Sequence, residues 1–184
     1  LDEMRVELNA KETMIVIMNS QNGKVITMAT SNRFLPKSIQ KEDYESLNSS
    51  MIEYSFEPGS VVKTITFSIL LDKGLVNPYD MVNGHQGRYQ IGKKTITDEH
   101  KFDWLSAEDV IVHSSNVGMA QLVQKISGAD FHQRLTDFGF GIKSTPDLIF
   151  EKVGSIPDAI QLNSEIYKAT CSYGYGMRAN LMQL

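Results

Sequence analysis

The chain has 184 residues, 41% of them hydrophobic and 22% charged, with a net charge of −4. That suffices for one ordinary domain or a large piece of a bigger one, and the balance is that of a soluble globular protein. No Lys/Arg cluster stands out, which argues against nucleic acid or an anionic membrane surface as the main partner. The single cysteine, Cys171, excludes an internal disulfide framework, and the four histidines show no i,i+4 pair that would suggest a zinc helix.

Taken in chain order, Leu1 to Asn9 reads as the end of a helix. The opening Leu1-Asp2-Glu3-Met4-Arg5 is acidic, lacks a start methionine and has no signal-peptide features. Met14 to Met18 is the longest unbroken apolar run, far short of the ~20 residues of a membrane span, and is rich in strand formers. With the Asn22-Gly23 turn and a second strand over Lys24 to Ala29, it predicts an antiparallel hairpin. Thr30 to Glu57 is polar and loop-like, with Pro36 and several Asn and Ser residues. Ser60 to Lys73 reads as a helix closed by Gly74, and Asn77 to Asp103 as a loop with short strands around Arg88 to Ile96. Ser106 and Asp109 are spaced as an N-cap and its N3 carboxylate, with Trp104 as a staple at the helix start. His113-Ser114-Ser115-Asn116 interrupts that helix before Val117 to Ile126 resumes it. Asp130 to Phe138 is a further amphipathic helix, Gly139 to Pro157 a loop, and Asp158 to Thr170 holds a short helix. Asn180 to Leu184 leans apolar and stops without cap or turn, so both ends read as cuts within a longer chain. The expected division is a hairpin and surface loop over 1–58 and a mainly helical part over 59–184.

Two short motifs carry the chemistry. In Glu57-Pro-Gly-Ser-Val-Val-Lys63, a serine follows Pro-Gly at the mouth of a helix with a lysine one turn further in. Serine is a poor nucleophile near neutral pH and needs a base within reach. Residues i and i+3 share a helix face, so Ser60 and Lys63 meet. Gly59 permits the tight turn, and the helix N-terminus favours negative charge on Ser60 Oγ. For Lys63 to serve as base its pKa must fall by roughly 3 units, about 4 kcal/mol of differential interaction, which burial among Val61, Val62 and other apolar groups can supply. The plainer reading is a surface Ser and Lys on an ordinary helix. In the second motif, the Ser114 hydroxyl can relay a proton and the Asn116 amide can both donate to and accept from a peptide bond. Its plainer reading is a polar turn in which Ser115 or Asn116 caps the next helix.

Together the motifs resemble the S-x-x-K and S-x-N elements of penicillin-recognising serine acyltransferases. Glu57 to Lys63 is similar to the P-G-S-x-x-K block of penicillin-binding proteins, and Met14 to Ala29 to the hairpin that precedes it. His113-Ser-Ser-Asn-Val-Gly118 resembles the K-S-S-N-V-G of the class B, division-specific members. Phe138-Gly-Phe-Gly141 is like their F-G-L-G, and Ser172-Tyr-Gly-Tyr-Gly176 with Leu181-Met-Gln-Leu184 is like their F-G-Y-G and P-L-Q-L. The resemblance covers nearly the whole chain.

It implies an α/β (α+β) fold of the penicillin-binding-protein and β-lactamase type, an antiparallel sheet flanked by helices plus an all-helical subdomain that holds both motifs. It implies a septal peptidoglycan D,D-transpeptidase inhibited by β-lactams, with Ser60 as acylated nucleophile, Lys63 as its base, Ser114 as proton shuttle and Asn116 holding the donor peptide. The Ser60 N–H would form half of an oxyanion hole. Partners would be stem peptides ending in D-Ala-D-Ala, β-lactams and membrane proteins of the division complex, with no cofactor, metal or nucleic acid. The location would be the periplasmic side of a bacterial inner membrane, with the anchor outside these residues. The alternatives are a serine β-lactamase or D,D-carboxypeptidase, and a non-catalytic penicillin-sensing or scaffold domain. One departure stands out: the family's third element, K-T-G or K-S-G, is not among these residues, since Lys94-Thr95-Ile96 lacks the glycine. It is expected beyond Leu184, and the stretch by itself is expected to be incompetent or severely weakened.

Other residues invite weaker readings. His113 beside Ser114 suggests a Ser-His pair, but sequence neighbours seldom point the same way. Cys171 reads as a core residue, the nine methionines as core filler, and Tyr173 and Tyr175 as packing near the cleft floor. Arg88, Lys93 and Lys94 read as a solvated loop.

Overall fold

The computed structural model describes residues 1–184 apart from Asn48, Thr145, Pro146 and Leu148. The chain forms two compact units, one of residues 1–55, 143–152 and 180–183, the other of residues 56–142, 153–179 and 184. It is mixed α and β, and among the described residues the strands pair as three antiparallel two-stranded sheets.

In the first unit, helix α1 (Asp2–Glu7) leads to strands β1 (Met14–Met18) and β2 (Val25–Thr30). Met14 pairs with Thr30 and Ile17 with Thr27, but Met18 pairs with Val25, so a bulge precedes the turn. The turn is therefore longer than the two residues Asn22-Gly23 alone suggest. Asn19 O accepts from the N–H groups of Asn22 and Gly23, and Gly23 takes a φ of +70°. The segment expected to be loop after β2 contains a 3₁₀ helix (Lys41–Ser46) and a short helix, α2 (Ser50–Glu53). Polar composition concealed the first, whose start is held by Gln40 N–H donating to Asp43, and α2, which buries Met51, is too short to show a helical period. The Glu12 carboxylate accepts from the Thr30 and Ser50 hydroxyls.

The second unit holds the core. Helix α3 (Val62–Asp72) follows a 3₁₀ turn, Gly59–Val61, and buries Val62, Lys63, Thr66, Ile69 and Leu70. Strands β3 (Met81–Asn83) and β6 (Trp104–Ser106) pair across the excursion that carries β4 (Arg88–Ile91) and β5 (Lys94–Thr97). Helix α4 (Ala107–Val112) starts at the expected capping box: Asp109 N–H donates to Ser106 Oγ at 3.0 Å, and the Asp109 carboxylate accepts from Ser106 N–H at 3.2 Å. The staple role falls elsewhere than expected. Trp104 is 60% exposed, whereas Leu105, directly before the cap, is buried in one core cluster with Val110 of α4. Helix α5 (Asn116–Leu122) continues as a 3₁₀ turn, Val123–Lys125. Helix α6 (Gly128–Asp137) starts two residues earlier than expected because Ser127 caps it. Of the loop expected over Gly139 to Pro157, Thr145, Pro146 and Leu148 lie outside the described residues.

Helix α7 (Glu165–Ser172) buries Lys168, whose Nζ donates to the Ile126 carbonyl at 2.7 Å. Cys171 is fully buried, and burial pushes its thiol up to about 12, which leaves it an inert core residue. Arg88, Lys93 and Lys94 are exposed along the β4–β5 hairpin, as a solvated loop would have them. Among the described residues no helix is long and apolar enough to cross a membrane.

Phe131, Phe140, Leu70, Met119, Leu122 and Leu135 are the largest fully buried side chains of this core. Truncating Phe131 to alanine should cost about 3–5 kcal/mol, from lost transfer energy plus the cavity left behind. Truncating Tyr79, 81% exposed, should change stability by no more than about 0.5 kcal/mol. Urea unfolding of both variants measures the contrast, and equal losses would mean that this core is misassigned.

Candidate active site

The Pro-Gly-Ser turn works because Gly59 adopts a φ of +64°, open to glycine and strained for other residues. From that turn the chain enters α3, and Lys63 comes round beneath Ser60. Its Nζ lies 2.9 Å from Ser60 Oγ, as the i,i+3 spacing predicts. The same nitrogen lies 2.9 Å from Ser114 Oγ and donates to the Ser114 carbonyl at 2.6 Å. The amine thus bridges two hydroxyls from distant parts of the chain. A neutral amine suits this cage: it donates to the carbonyl and one hydroxyl and accepts from the other.

Lys63 is 2% exposed, and burial lowers its pKa to about 8, while Asp98 and Glu99 pull the other way. At that value roughly one molecule in ten carries a free amine at pH 7, against about one in three thousand for an ordinary lysine. Val62 contributes to the burial with no exposed surface, but Val61, expected to help, is 57% exposed. The ring of Tyr173 completes the enclosure, its centroid 6.0 Å from Nζ. Burial, then Tyr175 and Asp98, raises the Tyr173 phenol to about 12, so it stays neutral. Tyr175, by contrast, is 50% exposed at the rim.

Ser114 sits where α4 ends. Its φ is +52°, in the left-handed region. Ser114 N–H donates to the Ile111 carbonyl at 3.1 Å and Ser115 N–H to the Val110 carbonyl at 2.9 Å. This is a Schellman end with serine in the position glycine normally takes. The next residue at once caps α5, Ser115 Oγ accepting from Gly118 N–H at 2.8 Å. Two helix ends meeting at one residue aim the Ser114 hydroxyl at Lys63. Ser115 thus caps α5, as its plainer reading expects, while the Ser114 hydroxyl faces the lysine.

Asn116 lines a cavity of about 190 Å³ with Ser60, Asp98, Glu99, His113, Ser114 and Tyr175. Its Nδ2 donates to the Thr97 carbonyl at 3.1 Å, which orients the amide. Its Oδ1 is buried without a partner among the described residues. An acceptor left unpaired in the cavity that Ser60 lines suits an N–H arriving with a ligand. His113 lines the same cavity, but its ring packs against Phe102, tilted by 34° with centroids 4.9 Å apart, rather than pairing with Ser114.

Several positioning contacts were not read from the sequence. Gly174, with a φ of +84°, lies so close to the Pro-Gly-Ser turn that a Cβ there would come within 2.1 Å of the Gly59 carbonyl. Gly59 N–H donates to the Gly174 carbonyl at 3.1 Å, and Gly176 N–H donates to the Glu57 carboxylate at 2.8 Å. The Gly-Tyr-Gly motif was the available signal. Asp98 gave no signal at all. Its carboxylate accepts from Ser115 Oγ at 2.5 Å and from the N–H groups of Asn116 and Val117 at 2.6 and 3.0 Å. Among the described residues no cluster of His, Cys, Asp and Glu could hold a metal.

Residues 13–184 match the family described as penicillin binding protein transpeptidase domain. The chain belongs to that family. It is 30% identical over 169 residues to the peptidoglycan D,D-transpeptidase FtsI of Buchnera aphidicola, an alignment covering 92% of this chain and 29% of that protein. It is 29% identical over 175 residues to FtsI of Escherichia coli K12, covering 95% of this chain and 29% of that one. The chain thus spans less than a third of the length of these relatives. The apo structure of the TP domain from Burkholderia pseudomallei penicillin-binding protein 3 superposes with a TM-score of 0.83 at 25% identity, covering all of this chain and 50% of that chain.

Two expectations follow from this geometry. Ser114→Gly removes a left-handed strain of about 1 kcal/mol that Ser114→Ala retains, so the glycine variant should be the more stable by that amount in urea unfolding. If the two unfold alike, the turn is not strained. Second, the Lys63 pKa is about 8 in the folded chain against 10.5 for an ordinary lysine. The unfolded chain therefore binds more protons between those values, so the cost of burying Lys63 is complete below about pH 8 and vanishes above about 10.5. Cys171 acts oppositely above about pH 9, so the comparison must be with Lys63→Met. Wild-type stability relative to that variant should rise steadily with pH across the window, and a flat difference would mean an ordinary lysine.

Proposed function

We propose that this domain carries the acyl-transfer half of a class B peptidoglycan D,D-transpeptidase acting in septal wall synthesis. The observation that carries the reading is the Lys63 amine, 2.9 Å from both the Ser60 and the Ser114 hydroxyls. In this reading free Lys63 takes the Ser60 proton as Oγ attacks the carbonyl carbon of the penultimate D-alanine of a stem peptide. The tetrahedral oxyanion is met by the Ser60 N–H, and the partial positive charge of the helix mouth assists. The unpaired Asn116 Oδ1 accepts an N–H of the donor peptide. The proton passes from Lys63 through Ser114 Oγ to the departing D-alanine nitrogen, the C–N bond breaks, and Ser60 holds the acyl group. An amine from a neighbouring stem peptide then attacks that ester, returns a proton through the same path and frees Ser60. A β-lactam follows the first half only, because its ring-opened amine stays tethered. The reaction balances without cofactor or metal.

The names of the relatives support the peptidoglycan substrate, and FtsI among them supports the division setting. The membrane-anchored, periplasm-facing location and the partnership with division-complex membrane proteins belong to the same proposal. Since Lys-Thr/Ser-Gly is not among the 184 residues, the chain by itself is expected to acylate weakly or not at all. In a gel assay with a fluorescent penicillin, the full-length protein should label stoichiometrically, and Ser60→Ala should abolish the label. The isolated chain should label at least about a hundredfold more slowly than the full-length protein, the order lost with one oxyanion donor. Full labelling of the Ser60→Ala protein would end the acyl-enzyme proposal.

A further inference from the structure

We infer that Asp98 is a positioning residue for acyl transfer, locking the Ser114–Asn116 turn from the end of β5 and supplying the fixed negative charge that Lys63 faces. The inference rests on the serine acyl-transfer reading above. Its first support is geometric. Asp98 Oδ2 accepts from Ser115 Oγ at 2.5 Å, while Oδ1 accepts from Asn116 N–H at 2.6 Å and Val117 N–H at 3.0 Å. The first N–H groups of a helix have no intrahelical partner. In α5, Asp98 takes two of them and Ser115 Oγ takes the Gly118 N–H. The adjoining Thr97 carbonyl holds the Asn116 side chain at 3.1 Å. The end of β5 therefore fixes both the backbone of the second motif and its amide. Ser114, directly before these anchored residues, is held at a φ of +52°, a conformation it would otherwise leave.

The second support is electrostatic. Lys63 is faced by the Ser60 hydroxyl from the turn before α3, and by the Ser114 hydroxyl and carbonyl from the α4–α5 turn. Asp98 and Glu99 face it from the end of β5, and the Tyr173 ring from the end of α7. His100 and His113 line the same cavity. Burial drives the lysine towards the free amine, and the two carboxylates oppose it. Glu99 is exposed, so solvent screens it, whereas Asp98 is half-buried and fixed by its hydrogen bonds. Asp98 thus couples two requirements of the reaction, the place of the relay hydroxyl and the pH range of the base.

The test uses Asp98→Asn, which keeps the shape and drops the charge, and Ser115→Ala, which keeps the charge and removes one strand of the lock. Both are made in the full-length protein and checked for retained thermal unfolding. Two quantities are read: the pH midpoint of Lys63 reactivity towards acetic anhydride, by mass spectrometry of its peptide, and the rate of acylation by a fluorescent penicillin against pH. Asp98→Asn should lower the midpoint by about one pH unit and carry the acid limb of acylation down with it. It should also slow acylation at its optimum by about tenfold or more, the scale set by misplacing a reacting group. Ser115→Ala should slow acylation and leave the midpoint in place. An unmoved midpoint in Asp98→Asn, or an acylation rate within twofold of wild type, overturns the inference. The midpoint is read without substrate, so it stands whether or not Ser60 proves to be acylated.

Discussion

A single primary amine, kept out of water and shared between two hydroxyls, sets the terms for everything around it. Lys63 can act as a base only where desolvation disfavours its charged form, yet a dry amine without polar partners would be costly to bury. Three oxygens resolve the conflict, one from Ser60 and two from Ser114. Bringing them together requires unusual backbone on both sides: Gly59 turns left-handed directly before Ser60, and Ser114 is itself left-handed. The core of α3 to α6 is the scaffold that makes those two departures affordable.

Four helices of the second unit end in the same way, and the comparison isolates what is special about the second motif. After α3, α6 and α7 the left-handed position is glycine, Gly74, Gly139 and Gly174, with φ of +64°, +95° and +84°. In each case the following amide reaches back into the helix, Leu75 to Leu70, Phe140 to Leu135 and Tyr175 to Thr170. After α4 the bonding is the same, Ser115 to Val110, but the residue is Ser114. Where glycine would serve the fold better, a side chain is present whose hydroxyl reaches the lysine. Strain at a functional position, stabilised by its surroundings, is the general pattern.

What could be read along the chain was what depends on near neighbours. The β1–β2 hairpin, the α3 helix with Gly74 behind it, the Ser106–Asp109 box and the Ser60–Lys63 spacing all follow from periodicity or from partners within four residues. The motifs themselves resemble the family that the match over residues 13–184 shows. What escaped depends on partners far along the chain. Asp98 lies 17 residues before Ser115, inside a stretch of loop-like composition, and only the folded β5 brings it to the α5 mouth. Strands β3 and β6 are three residues each and pair across that same stretch, too short for an alternating pattern to declare itself. Trp104 is the staple expected from its place before the cap, but the strand's alternation sends the tryptophan outward and Leu105 inward.

The contact between the nucleophile turn and the Gly-Tyr-Gly segment also has a bearing on timing. Glu57 and Gly176 are 119 residues apart, a gap that ribosomes cover in roughly ten seconds at 5–20 residues per second. Until Gly174 and Gly176 have emerged, nothing clamps the Pro-Gly-Ser turn, and the Tyr173 ring is not there to shield the amine. While those residues are being made, the growing polypeptide carries Ser60 without that clamp, and the enclosure of the Lys63 amine forms only once the Gly-Tyr-Gly segment is in place.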